Sequence, residues 1–171
     1  MQKIVLVLGG ARSGKSTFAL KEASLSNNKK AFVATAECLD DEMRIRIEKH
    51  KLERGNDWTT YEEPLYISEL IKNIGKTYDV VLIDCITIWL SNIMHAGLNV
   101  QNETERFISA ITNSSPALLY IVSNEVGLGI VPESPLARAY RDNLGFLNQR
   151  VANIADEVYL MVAGIPLKVK G

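Results

Sequence analysis

Ile4-Val5-Leu6-Val7-Leu8-Gly9-Gly10-Ala11-Arg12-Ser13-Gly14-Lys15-Ser16 sets a short apolar run directly before a complete G-x-x-x-x-G-K-[ST] loop. A strand therefore feeds a glycine loop that opens a helix, the arrangement that turns backbone N–H groups around a β-phosphate. Lys15 adds a point charge, the helix N-terminus its positive end, and the Ser16 hydroxyl a ligand suited to Mg2+. The chain reads as a nucleotide binder.

Working outward, further apolar runs at 31–34, 80–83, 117–122 and 158–162 have the length and β-branched content of strands buried on both faces, with helical patterns between most of them. The expected fold is a single α/β domain over 1–171, a P-loop NTPase-type (RecA-like), mostly parallel sheet flanked by helices. Pro64 opens a helix through Leu65, Ile67, Leu70, Ile71 and Ile74 that is expected to stop at Gly75 by glycine termination. Ser134-Pro135 is an N-cap and first-turn pair for a helix of about 20 residues running to Ile154. Gly97 to Glu105 lacks a period and reads as a loop or helix start.

The 171 residues carry 19 Lys and Arg against 20 Asp and Glu, so no global basic field invites nucleic acid or a membrane surface. Cys38 and Cys85 fit neither a disulfide framework nor zinc-ligand spacing, and no apolar run is long enough to span a membrane. A soluble, unprocessed cytoplasmic protein is expected, with small molecules or its own copies as partners.

Asp84 closes the strand Val80-Val81-Leu82-Ile83, the place where a second Mg2+-supporting carboxylate stands beside a phosphate loop. Capping the helix that starts near Ile86 is its other reading, and the two are compatible. Residues 40–54 read as a helix with acids first and bases last, as the macrodipole prefers. Met43, Ile47, His50 and Arg54 share one stripe of it. By spacing alone, His50 is a boundary residue more often than a catalyst, although a neutral imidazole kept so by Lys49, Lys51 and Arg54 is a competent nucleophile toward phosphorus. Thr35-Ala36-Glu37 and Trp58 to Glu63 are read as loops at the ligand end of the sheet, where Glu62 alone is more often solvated surface than a contact. Asn124 to Ser134, with two glycines and a proline, is a candidate acceptor-binding loop. Its Asn124-Glu125-Val126-Gly127 start is not the Asn-Lys-x-Asp by which a regulatory GTPase reads guanine.

The phosphate loop, Ala34-Thr35, Asp40-Asp41-Glu42-Met43, His50-Lys51, Arg54, Trp58, Glu62 and Asn124 to Glu133 together resemble the bifunctional adenosylcobinamide kinase/adenosylcobinamide-phosphate guanylyltransferases of cobalamin biosynthesis. The likeness continues through Leu136-Ala137-Arg138, Asn148-Gln149-Arg150 and Gly164-Ile165 to Lys168, leaving about 93–116 unaligned; His95 matches nothing. It turns His50 from a boundary residue into a nucleophile, because the family's guanylylated histidine lies in this helix immediately before a lysine. The resemblance implies that the loop Gly9-Gly10-Ala11-Arg12-Ser13-Gly14-Lys15-Ser16, Thr35, Ala36, Glu37, Lys51, Leu52, Glu53, Arg54, Glu62 and Asp84 form the nucleotide site, with Lys15 and His50 catalytic and Ser16 and Asp84 on Mg2+. It implies GTP and ATP as substrates, adenosylcobinamide and its phosphate as acceptors, and a homotrimer. Bringing the α-phosphorus to His50 then demands a shifted triphosphate or movement of the 40–54 helix. A simple P-loop kinase and a RecA-type assembly protein are the competing readings.

Overall fold

The computed structural model describes residues 2–26, 28–37, 55, 57–114 and 116–171. Seven strands, β1 (Lys3–Gly9), β2 (Lys30–Ala34), β3 (Trp58–Glu62), β4 (Val80–Asp84), β5 (Leu118–Asn124), β6 (Glu157–Val162) and β7 (Ile165–Lys170), form one sheet in the order β3-β2-β4-β5-β1-β6-β7. Neighbours pair in parallel except β6 with β7, which form an antiparallel hairpin. The helices are α1 (Lys15–Ser24), α2 (Ile67–Ile74), α3 (Ile86–His95), α4 (Val100–Asn113) and α5 (Pro135–Ile154).

Alternation along the strands divides the core in two. Ile4 and Leu6 of β1 join Val81, Ile83, Ile121 and the apolar faces of α2 to α5, whereas Val5 and Val7 join Leu82, Val122 and Ala19 and Ala23 of α1. The central strands are buried on both faces, as their unbroken apolar runs predict. Among the described residues no helix is long and apolar enough to cross a membrane.

Several local expectations need correction. Residues 58–62, read as loop, form β3: its polar Trp-Thr-Thr-Tyr-Glu sequence suits an edge strand that pairs only with β2. β7 is a further strand that the apolar pattern does not announce, because its residues are exposed throughout. The helix expected from Pro64 begins at Ile67, because Glu63 Oε1 first accepts hydrogen bonds from the Leu65 and Tyr66 N–H groups, at 3.0 and 2.8 Å. Gly75 keeps a right-handed φ of −58°, so it does not end that helix by a left-handed turn. A Cβ there would collide with the Ser114 carbonyl oxygen, so the glycine serves close approach instead. The Gly97 to Glu105 stretch does contain a helix start, with Asn99 Oδ1 accepting from the Asn102 N–H at 2.9 Å. The cap of α3 falls to Cys85, so Asp84 is not the capping residue. The helix expected over 40–54 lies outside the described residues.

Candidate active site

Parallel pairing brings the carboxyl ends of the strands to one rim. Gly9 stands opposite Asn124, Ala34 opposite both Glu62 and Asp84, and Asp84 opposite Val122. Because β5 lies between β1 and β4, the phosphate loop and Asp84 face each other across a single strand, a gap of about 10 Å at ordinary strand spacing.

The loop itself is tightly turned. Gly9 is closely packed, since a Cβ there would meet Ser13 Oγ and stand 3.0 Å from the Met161 carbonyl oxygen. Arg12 (φ 56°) and Gly14 (φ 89°) take left-handed conformations, and the Ser13 N–H reaches back to the Gly10 carbonyl at 3.3 Å. Gly14 has no side chain to cap α1, and the first turn carries no acid, so the helix presents its positive end unneutralised. Lys15 is buried, with Nζ donating to the Gly10 carbonyl at 3.0 Å; Ser16 is half-buried, and Gly10, Ala11 and Arg12 are exposed. Behind the loop, the turn between β6 and β7 supplies a support that sequence reading missed. The Gly164 N–H donates to the Ser13 carbonyl at 3.0 Å, and the Gly164 Cα lies 3.3 Å from where a Gly14 Cβ would stand.

On the other side of β5, Asp84 is half-buried at the end of β4. Thr35 holds this strand end: its hydroxyl donates to the Cys85 carbonyl at 2.7 Å and accepts from the Cys85 N–H at 2.9 Å. Wholly buried and hydrogen-bonded both ways, that hydroxyl positions Asp84-Cys85. Asn92 Nδ2 then ties α3 to the Thr35 and Pro64 carbonyls, at 2.8 and 3.1 Å. Ala36 is half-buried, while Glu37 and Glu62 are exposed on the same rim. Burial pushes the Cys85 thiol up to about 11, reinforced by the Asp84 charge and opposed by the Lys15 charge. The thiol is therefore packing rather than a reactive group.

One hydroxyl and one carboxylate are hard oxygen donors, and no group of three His, Cys, Asp or Glu among the described residues could hold a metal unaided. That set fits Mg2+, which keeps waters and takes its remaining ligands from phosphates. His50, Lys51, Leu52, Glu53 and Arg54 lie outside the described residues; of the others, Thr35 to Glu37 and Asp84 share the rim with the phosphate loop, whereas Glu62 ends the edge strand β3, four strand spacings from β1.

A buried polar ring behind the rim also escapes sequence reading. The Asn124 N–H donates to Thr87 Oγ1 (2.6 Å), Ser123 Oγ donates to Asn148 Oδ1 (2.6 Å), and Asn148 Nδ2 donates to the Asn124 carbonyl (3.0 Å). Thr87 and Ser123 hydroxyls are 3.2 Å apart and close the circuit. Its only signals in the sequence are a serine ending an apolar strand and an asparagine on the Leu144, Leu147, Val151 stripe of α5.

The family model for cobinamide kinase / cobinamide phosphate guanyltransferase matches residues 5–169. The chain belongs to that family. Similar members include the bifunctional adenosylcobalamin biosynthesis protein CobP of Pseudomonas aeruginosa, 38% identical over 97% of this chain and 96% of that protein. The CobU proteins of Escherichia coli and Salmonella typhimurium are 41% and 40% identical, each over 98% of this chain and 99% of theirs. In fold, this family member is similar to the RadB recombinase (TM-score 0.54, 16% identity, 92% of this chain and 73% of that one). A KaiC-like protein of Pyrococcus horikoshii is comparable (TM-score 0.53, 15% identity, 92% of this chain and 70% of that one). The P-loop NTPase-type, RecA-like sheet expected from sequence is therefore the fold of this family member.

Proposed function

We propose that this protein phosphorylates adenosylcobinamide with a nucleoside triphosphate and then transfers GMP from GTP to that phosphate, giving adenosylcobinamide-GDP and pyrophosphate. The observation that carries the reading is the rim: a buried Lys15 in a phosphate loop and Asp84 facing it across one strand, in a chain of the cobinamide kinase family. In the first reaction the loop N–H groups and Lys15 hold the β- and γ-phosphates while the acceptor hydroxyl attacks the γ-phosphorus and the diphosphate leaves. Ser16 and Asp84 would hold Mg2+, which when bound neutralises phosphate charge. Ala36, Glu37 and Glu62 line the nucleotide side of the rim, and Thr35 acts through the Cys85 backbone.

In the second reaction His50 attacks the α-phosphorus, pyrophosphate leaves, and GMP is held as a phosphoramidate until a phosphate oxygen of the corrinoid displaces it. Lys51, Leu52, Glu53 and Arg54 accompany His50 at the nucleotide. The loop after β5 receives the acceptor: Leu128, Ile130 and Val131 stand 87, 96 and 60% exposed, an apolar face matched to a large macrocycle. The active protein is a cytoplasmic homotrimer, with each chain one domain over 1–171.

The deciding experiment is incubation with α-phosphate-labelled GTP without acceptor. The wild-type protein is expected to release pyrophosphate and carry an acid-labile, base-stable label that fades below about pH 6 as the imidazole protonates. His50→Ala should lose the label and guanylyl transfer while phosphorylating cobinamide. Labelling of His50→Ala to the wild-type extent would leave a simple P-loop kinase as the better reading.

A further inference from the structure

The loop after β5 is tied at its two ends and nowhere between. At its start the Glu125 N–H donates to the Gly9 carbonyl at 3.0 Å, which fixes it to the phosphate loop, and Glu125 Oε1 accepts from the Gly127 N–H at 2.6 Å. At its far end Arg138, in the first turns of α5, donates from Nη1 to the Pro132 and Glu133 carbonyls at 2.9 and 2.6 Å. Among the described residues no other hydrogen bond holds the backbone of residues 128–133, the stretch that exposes Leu128, Ile130 and Val131.

Arg138 stands against the ordinary rules of a helix. The start of α5 is the positive end of its macrodipole, where acids are favoured; the first turn holds none, and a guanidinium reaches back over it instead. Among the described residues no carboxylate pairs with that half-buried guanidinium. Its charge is spent on two loop carbonyls that solvent can satisfy, so the shape of the loop, and not the stability of the helix, is what the residue serves. The tie from Glu125 to Gly9 is separate, so cutting the far tie leaves the phosphate loop as it is.

We propose that Arg138 is the positioning residue for the acceptor: by holding Pro132 and Glu133 it presets the crest of Leu128, Ile130 and Val131 on which the corrin ring lies. This rests on the cobinamide reading above. A loop ordered only on contact subtracts its ordering entropy from the affinity, whereas a crest already set does not. Arg138 therefore governs how tightly cobinamide is held while touching neither the ring nor the nucleotide. Because the crest grips the ring alike before and during reaction, the effect belongs in KM and not in kcat.

The test compares wild type, Arg138→Met, which keeps the length and apolar stem but no donor, and Arg138→Lys, which keeps the charge. In steady-state phosphorylation Arg138→Met should raise the KM for cobinamide about tenfold, with kcat and the KM for GTP each within about twofold. Arg138→Lys should raise the cobinamide KM only about threefold, and carries the test if the methionine variant does not fold. A cobinamide KM equal to wild type in the folded variants, or a GTP KM that rises in step with it, overturns the proposal. Chymotrypsin cleavage after Leu128 reads the loop apart from turnover: Arg138→Met should be cut about tenfold faster than wild type, and equal rates also overturn it. If wild type never phosphorylates cobinamide while that difference in cleavage holds, the functional reading falls and the hold of Arg138 on the loop stands.

Discussion

The phosphate loop and the Asp84 end of the rim lie one strand apart; local bonds close the turn of the loop, with one distant brace from Gly164, whereas the Asp84 end rests on distant partners alone. The loop's internal bonds join residues a few positions apart, Ser13 to Gly10 and Lys15 to Gly10. Asp84 is placed by partners far along the chain: Thr35 reaches Cys85 across 50 positions, and Asn92 reaches Thr35 across 57. Recognition of phosphate can be written into eight consecutive residues because backbone N–H groups do it. Placement of the facing carboxylate cannot, because it depends on where two strands and a helix end.

Removing the charge from the local side should have the largest effect. Lys15→Ala is expected to lose both proposed activities by at least a hundredfold, equivalent to about 3 kcal/mol of transition-state stabilisation. Rates of phosphorylation and guanylylation check it, and near-normal phosphorylation would separate the two reactions into different sites. Next comes the carboxylate: Asp84→Asn should fold normally, since Cys85 and not Asp84 caps α3, while Mg2+-dependent turnover falls about tenfold or more. A variant with wild-type kinetics across a Mg2+ titration would remove Asp84 from the site.

Thr35→Val sharpens the contrast from the other direction. It deletes both bonds to Cys85 and leaves a buried N–H unpaired, so unfolding stability should fall by about 1–3 kcal/mol, with Thr35→Ser restoring most of it. Equal urea midpoints for Thr35→Val and wild type would show that the strand end does not depend on this tie.

The smallest effect belongs far from the rim, where Glu157 accepts from Lys3 (3.0 Å), Lys168 (3.1 Å) and the Tyr159 hydroxyl (3.0 Å). These donors, Lys3 foremost, hold its carboxyl at about 2, below the ordinary 4.5, against an opposing push from burial. A depressed folded value means the stabilisation is whole above pH 4.5 and is lost as pH falls toward 2. Glu157→Gln should therefore cost about 1 kcal/mol at pH 7 and progressively less below about pH 4.5, read from urea midpoints at each pH. A difference that is constant with pH would deny the carboxylate that role.

The same division governs what the sequence discloses. The phosphate loop, the buried strands and the Ser134-Pro135 helix start are legible because each is a contiguous pattern with a local physical cause. β3 and β7 are not, since an edge strand buries too little for its residues to look like a core strand. Nor is Thr35's tie to Cys85, or the ring of Thr87, Ser123 and Asn148: hydroxyls and amides carry no period, and their partners are set only when the chain has folded. Gly75 stands out in the sequence but for the wrong reason, because closeness to Ser114 leaves no mark near position 75.

The bond from Gly164 to Ser13 joins the first loop of the sheet to its final hairpin. During synthesis the first strand and its glycine loop leave the ribosome early, while the turn that braces the loop is made long afterwards. A nascent chain halted before Ala163 carries the whole motif without its backing, and one halted before Glu157 also lacks β6, the partner of β1. The phosphate loop therefore gains this brace only after the first six strands of the sheet have been made.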